Sequence, residues 1–247
     1  MIISFFEEFP NKSNLKKLKL INFPTKLYIA SHSYKEFLNI KNKIKNKFVK
    51  GFIYWPILKK EEGYWISPFS SREALERIFN ELKDKNIPVM LDLEIPIFRL
   101  FSNIKSNWKD FFTNKKLIKN FIDNYKNIYL CEYYPEGRYK ENLLGLFGLH
   151  YKNKKIKIIK MVYHSMHKFN EKFMANEMKN GIKKYNENFL ISYGAIAKGI
   201  TGREPILSFK QLDKDLNLAK DNKVNEVIIF RLGGLNKNYL NIIKKNV

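Results

Sequence analysis

The run NIPVMLDLEIP, residues 86–96, is apolar apart from two carboxylates near its end, Asp92 and Glu94. A β-strand sends residues i and i+2 to the same face, so in a buried strand both acids point to one place. Its core, PVMLDLE (88–94), is one of eight short β-rich runs. The others are IISFF (2–6), KLYIA (26–30), GFIYW (51–55), NIYLCEY (127–133), KIKIIKMVY (155–163), NFLISYG (188–194) and VNEVIIF (224–230). Helical patterns lie between and after them: 11–21, 33–46, 70–86, a long stretch over 98–125, 137–152, 167–187, 208–223 and 236–246. The serines of PFSSREALE have the form of an N-cap followed by acids in the first turn, which marks a helix start there. Eight strands, each followed by a helix, is the count of a (β/α)8 TIM barrel, an α/β fold of about 250 residues. The reading is therefore a single barrel domain over residues 1–247. An open doubly wound sheet is the alternative, but no glycine fingerprint follows the first strand.

Composition bounds the rest. The 247 residues are 45% hydrophobic and 15% aromatic, which excludes a disordered chain. The single cysteine, Cys131, can form no internal disulfide, which fits a reducing compartment. The opening MIISFFEEFP lacks the basic lead and long apolar core of a signal peptide, and no apolar run approaches the roughly 18 residues of a spanning helix. A cytoplasmic protein without a membrane partner is expected. The net charge of +22 comes mostly from lysine alternating with Asn and apolar residues, as in NLKKLKL and IKNKIKNKF. That is the pattern of solvated faces of amphipathic helices. Zinc-finger, helix-turn-helix and RNA-binding sheet motifs are lacking, so no specific nucleic-acid partner is expected, and the basic surface attracts polyanions non-specifically.

Barrels of this kind place chemistry at the carboxyl ends of their strands. The amino-terminal approaches here are plain Lys and Asn turns. The carboxyl ends carry Glu7 and Glu8, Ser31 to Ser33, Tyr54 and Trp55, Asp92 and Glu94, Glu132 to Tyr134, Tyr163 and His164, Ser192 and Tyr193, and Arg231 before Gly233 and Gly234. Three of the four histidines, His32, His164 and His167, fall on this side. Two carboxylates on one face against apolar walls cannot both ionise freely, so one pKa is driven up by burial and by its like-charged neighbour. A carboxyl that keeps its proton at neutral pH is a general acid. Glu94, nearest the mouth, is the natural donor, and Asp92 lies beneath it. The structural alternative is a buried pair neutralised by Arg231 or Lys160.

The fourth strand's Asp92-Leu93-Glu94 and the sixth strand's Met161-Val162-Tyr163-His164 resemble two runs of the chitinase-type glycoside hydrolases, which are (β/α)8 barrels. That family carries D-x-x-D-x-D-x-E on its fourth strand and an M-x-Y-D-like run on its sixth. Ile87 and Met90 stand where the pattern has its two earlier aspartates, and His164 where it has Asp or Asn. The resemblance is to a divergent member. It implies Glu94 as the acid, Asp92 as the group that orients an acetamido substituent and Tyr163 as a hydroxyl on the reacting sugar. The expected activity is hydrolysis of an intracellular carbohydrate, a small molecule or oligosaccharide.

Substrate-binding groups are expected at the mouth from Glu8, Trp55, Glu132, Tyr134, His164, Tyr193 and Arg231, with Tyr64, Trp65 and Tyr133 as further surfaces for pyranose faces. The loop WPILKKEEGYWISPFS is long enough to form a lid or wall. Two other chemistries stay open. YGAIAKGITGREP, with Lys198 and Arg203, and RLGGLN offer glycine N–H groups and cations where barrels often bind phosphate, which would suit a sugar-phosphate isomerase, epimerase or aldolase with Glu8 or Glu132 as base. Glu8, Asp92, Glu94, Glu132 and His164 form an oxygen-rich set with one imidazole, of a kind that suits Mg²⁺ or Mn²⁺. No local motif fixes such a site, and neither metal nor cofactor is expected. A barrel that binds carbohydrate without turning it over is the remaining reading.

Overall fold

A computed structural model describes residues 1–96, 108–133, 138–153 and 155–247. Eight parallel strands close into a barrel in chain order, each hydrogen-bonded to the next and the last to the first. They are β1 (Ile2–Glu7), β2 (Thr25–Ser31), β3 (Val49–Pro56), β4 (Val89–Leu93), β5 (Ile128–Tyr133), β6 (Lys157–Met161), β7 (Phe189–Gly194) and β8 (Glu226–Phe230). The α-helices among the described residues are α1 (Lys12–Leu15), α2 (Tyr34–Lys43), α3 (Arg72–Leu82), α4 (Phe111–Asn124), α5 (Arg138–Leu146), α6 (Glu171–Tyr185), α7 (Phe209–Asp221) and α8 (Lys237–Asn246). No helix among these residues is long and apolar enough to cross a membrane.

The helices form where capping and apolar spacing agree. In α3 the Ser71 hydroxyl accepts from Ala74 N–H, and Ala74, Leu75, Ile78, Phe79 and Leu82 bury one face against the strands. Phe79 stacks on Phe121 of α4 with ring centroids 4.3 Å apart. Residues 11–21 differ from the sequence reading: one α-turn passes into a 3-10 helix over Lys16–Leu20. Within Lys12–Leu20 only Leu18 is buried, too small an apolar face to hold a regular helix. Of the long helical stretch expected over 98–125, the described part is the 3-10 turn Trp108–Asp110 and α4; residues 98–107 lie outside the described residues.

Strand alternation sorts side chains into two layers. Phe6, Tyr28, Ile53, Trp55, Met90, Tyr129, Cys131, Ile159, Met161, Leu190 and Ile228 fill the barrel, whereas Phe5, Leu27, Ile29, Leu91, Leu130, Ile191 and Ile229 face the helices. The amino-terminal end of the barrel is closed by polar groups. The Glu226 carboxylate accepts from Ser4 Oγ at 2.7 Å, Tyr28 hydroxyl at 3.0 Å and Lys26 Nζ at 2.5 Å. This end is plugged, and access is left to the opposite, carboxyl end.

Candidate active site

At that carboxyl end lies a cavity of about 210 Å³. Phe6 sits at its base, with its ring centroid 5.4 Å from Trp55 and 6.4 Å from Phe230. Trp65, Tyr133, Tyr163 and Phe169 continue the wall. Four carboxyls line it, Glu8, Asp92, Glu94 and Glu204, and among the described residues no Lys or Arg does. In a chain of net charge +22 this is an acidic, aromatic pocket.

Its carboxyls come from defined places. Asp92 and Glu94, on and just after β4, share the inward face and are hydrogen-bonded to each other. Asp92 is buried and Glu94 half-buried, so Glu94 is the member that reaches the mouth. Burial, then the negative charges of Glu94 and Glu8, push Asp92 well above the usual carboxylate range. Burial also raises Glu94, to about 7, against a hydrogen bond from Asp92 that favours its ionised form; Tyr133 donates a second. Glu8, one residue beyond β1, is raised to about 7 by burial, opposed by the Tyr64 hydroxyl donating to its Oε1 at 2.8 Å. Its Oε2 has no hydrogen-bond partner among the described residues. A Cβ built on Gly199 would lie 3.0 Å from Glu8 Oε2 and 3.1 Å from Glu204 Oε1, so glycine lets this loop approach between the two acids. Tyr163, inward and two residues past β6, accepts from Ser192 Oγ at 3.1 Å.

Of the residues expected at the mouth, Glu8, Trp55, Asp92, Glu94 and Tyr163 line the cavity together. Four others do not, because they sit one residue out of phase with the inward face. Glu132 is buried in the layer between barrel and helices, where it accepts from Lys160 Nζ at 2.6 Å, pairs with His150 Nδ1 at 2.8 Å and accepts from Tyr151 N–H at 3.2 Å. Burial alone would raise its pKa, but Lys160 and His150 bring it below the ordinary value. His164 points outward, its Nδ1 2.8 Å from Asp215 of α7. Tyr193 is buried within the outer core. Arg231 donates to Glu7 Oε1 at 3.1 Å and to the Lys198 carbonyl at 2.9 Å. Tyr134 lies outside the described residues. The same parity divides the oxygen-rich metal set, since Glu132 and His164 face away from Glu8, Asp92 and Glu94.

The glycine-bearing segments after β7 and β8 each hold a carboxylate of this chain, Glu204 on Gly199 N–H after β7 and Glu7 in the turn after β8. Gly233 N–H donates to Glu7 Oε2 at 2.7 Å, and Arg231 and Asn14 donate to Oε1. The carboxylate of Glu7 thus fills the anion cradle the sequence suggested. Gly234 is needed for packing, because a Cβ there would meet the Ile196 carbonyl oxygen at 1.9 Å. The loop after β3 is a wall, with Tyr64, Trp65, Ile66, Ser67 and Ser70 all buried. Glu204 carries no periodic signal in the sequence. It is the lone acid of a basic loop, held by Gly199 N–H at 3.0 Å and Thr201 N–H at 3.2 Å. Phe6 and Phe230 are visible only once strand parity is counted.

Fold and pocket together define a (β/α)8 barrel with an acid-lined aromatic cavity at its carboxyl mouth. By sequence, the chain matches no protein-family model and no curated protein. By structure it is similar to the PgaB (BpsB) glycoside hydrolase domain from Bordetella bronchiseptica, with TM-score 0.52, 8% identity and 93% of each chain covered. A chitinase from Chromobacterium violaceum gives TM-score 0.53 at 9% identity, over 99% of this chain and 98% of that one. A cellulase in complex with an inhibitor gives 0.51 at 10%, over 99% and 91%. At such identities the likeness is one of fold.

Proposed function

We propose that this barrel hydrolyses glycosidic bonds by carboxyl general acid catalysis, with Glu94 as the acid. The observation that carries the reading is the hydrogen-bonded Asp92–Glu94 pair on the wall of an aromatic cavity, its pKa values raised by burial. Glu94 protonates the leaving glycosidic oxygen as the bond from C1 to that oxygen breaks. Asp92 keeps its own proton and donates it in a hydrogen bond to the carboxylate that Glu94 becomes, so the conjugate base is stabilised where it forms. Water then adds at C1 and returns a proton to Glu94, completing hydrolysis. Tyr163 and Glu8 are suited to the hydroxyls or acetamido group of the sugar in the cavity, and Trp55, Trp65 and Tyr133 to its apolar faces. The folds of the glycoside hydrolases described above support this reading. The cradle filled by Glu7 weighs against a sugar-phosphate reaction.

The test is turnover on a panel of oligosaccharides, acetamido sugars included. Glu94→Gln keeps shape but has no transferable proton, and turnover is expected to fall by roughly 10²–10⁴ while binding survives. Full turnover by Glu94→Gln would remove the acid role. A wild-type protein that binds a glycan and cleaves none would establish a binding barrel instead.

A further inference from the structure

Three hollows adjoin in series, from the carboxyl mouth down the flank of the barrel along α2 towards its amino-terminal end. The catalytic cavity shares Glu8 and Ile200 with a second hollow of about 560 Å³. That one shares Pro10 and Ile40 with a third, a groove of about 720 Å³ between the α1 segment and α2. The chemistry changes along this track. The cavity is lined by acids. The middle hollow is mixed, with Lys59 and Lys60 against Glu36 and Glu61. The third groove carries Lys12, Lys16, Lys19, Lys43 and Lys45, all exposed, and no carboxylate lines it. None of the five forms an ion pair among the described residues. Its floor is aliphatic, from Leu15, Leu18, Ile40 and Ile44.

We infer that the groove binds the anionic part of the substrate, a glycan chain bearing carboxylate, sulfate or phosphate groups, while a neutral sugar of the same chain enters the cavity. This deepens the hydrolase reading and rests on it. Five like charges around one groove repel one another unless a counter-charge is supplied. A polyanion supplies it, with release of its condensed counterions. The cavity offers no lysine or arginine among its described lining and holds the Glu204 carboxylate, which its hydrogen bonds keep ionised, so anionic units bind outside it and the uncharged unit binds within. An aliphatic floor between lysine stems suits the apolar face of a sugar ring. Continuity with the cavity favours a glycan over a nucleic acid, whose every unit is charged.

Calorimetric titration of inactive-site and wild-type protein with hyaluronan or sulfated oligosaccharides, against neutral chitooligosaccharides of equal length, tests this. The anionic chains are expected to bind at least tenfold tighter at low salt, with the preference shrinking as salt rises. Lys16→Glu with Lys43→Glu should abolish the preference in a protein that keeps its fold by circular dichroism. Lys179→Glu with Lys183→Glu on α6 changes net charge equally and should preserve it. Equal affinity for neutral and anionic chains overturns the inference, and so does equal loss in the α6 variant, which would mean net charge alone. Tighter binding of single-stranded DNA of the same charge, lost in the groove variant, would assign the groove to nucleic acid. The two readings fail separately. If Glu94→Gln retains turnover while the groove variant loses anionic preference, the acid role falls and the groove stands. If Glu94→Gln is inactive and the groove variant keeps its preference, the reverse holds.

Discussion

Glu8 and Glu94 meet the same physical conflict from opposite sides of one cavity. Each is a carboxyl taken out of water near other carboxyls, and each is held to a pKa of about 7. For Glu8 this is also a statement about stability. Its folded pKa lies above its unfolded value, so the folded state binds the proton more tightly. The stabilisation this gives is fully present below the ordinary carboxylate pKa and is lost as pH rises through about 7. Glu8→Gln removes the ionisation but keeps an acceptor for Tyr64. It should change stability little at pH 4 and raise it at pH 8, by on the order of 3 kcal/mol at most. Urea denaturation at the two pH values measures this, and an equal effect at both would contradict it. On the proposed hydrolase reading, the Asp92–Glu94 pair gives the matching kinetic expectation. Activity that needs protonated Glu94 should decline as pH rises through about 7, and Asp92→Asn should move that limb. The pair was legible in the sequence because two acids at i and i+2 in an apolar run admit few explanations. Glu204 was not, because a loop residue has no period to betray its direction.

At the scale of the element, the strands show what sequence could not resolve by position alone. Every strand ends near the mouth, yet only alternate residues face it. Tyr133 lines the cavity while Glu132, one residue earlier, joins Lys160 in the outer layer. Residue type at a strand end located the right end of the barrel but not the right face. Counting back from Asp92 and Glu94 fixes the inward phase of β4 only, since each of the other strands sets its own. The Glu132–Lys160 pair belongs to folding. Lys160→Met leaves a buried carboxylate with one charge partner fewer and should destabilise the protein by about 3–5 kcal/mol, whereas Lys160→Met with Glu132→Gln should recover most of the loss. A thermal melt of both variants distinguishes the pair from a solvated one, for which neither change would matter. The β8 turn gives a steric counterpart. Gly234→Ala drives a methyl group into the Ile196 carbonyl and should cost about 1–3 kcal/mol, with no effect on the chemistry of the cavity.

Across the whole molecule the barrel separates its tasks by end, and that separation was readable from the count of eight strands and the contrast between their two sets of flanking residues. What composition could not tell was where the charge lies. A net +22 coexists with a cavity that has four carboxyls and no lysine or arginine among its described lining. The amino-terminal end shows the other use of a buried acid. Glu226 accepts from Ser4, Lys26 and Tyr28 and closes the barrel floor, with no access to the cavity above. Replacing it by Leu leaves Lys26, Ser4 and Tyr28 without their acceptor and should cost about 3–5 kcal/mol. Glu226→Gln, which keeps an acceptor but loses the charge, should cost less and still fold. Because the plug lies at the end opposite the carboxyl pair, the folded fraction of either variant should match the wild type in the glycan turnover proposed above. Denaturant unfolding and initial rates on the same preparations test both halves. A Glu226→Gln protein of unchanged stability but reduced turnover would show that the two ends of the barrel are coupled, and that the division of labour argued from its geometry is wrong.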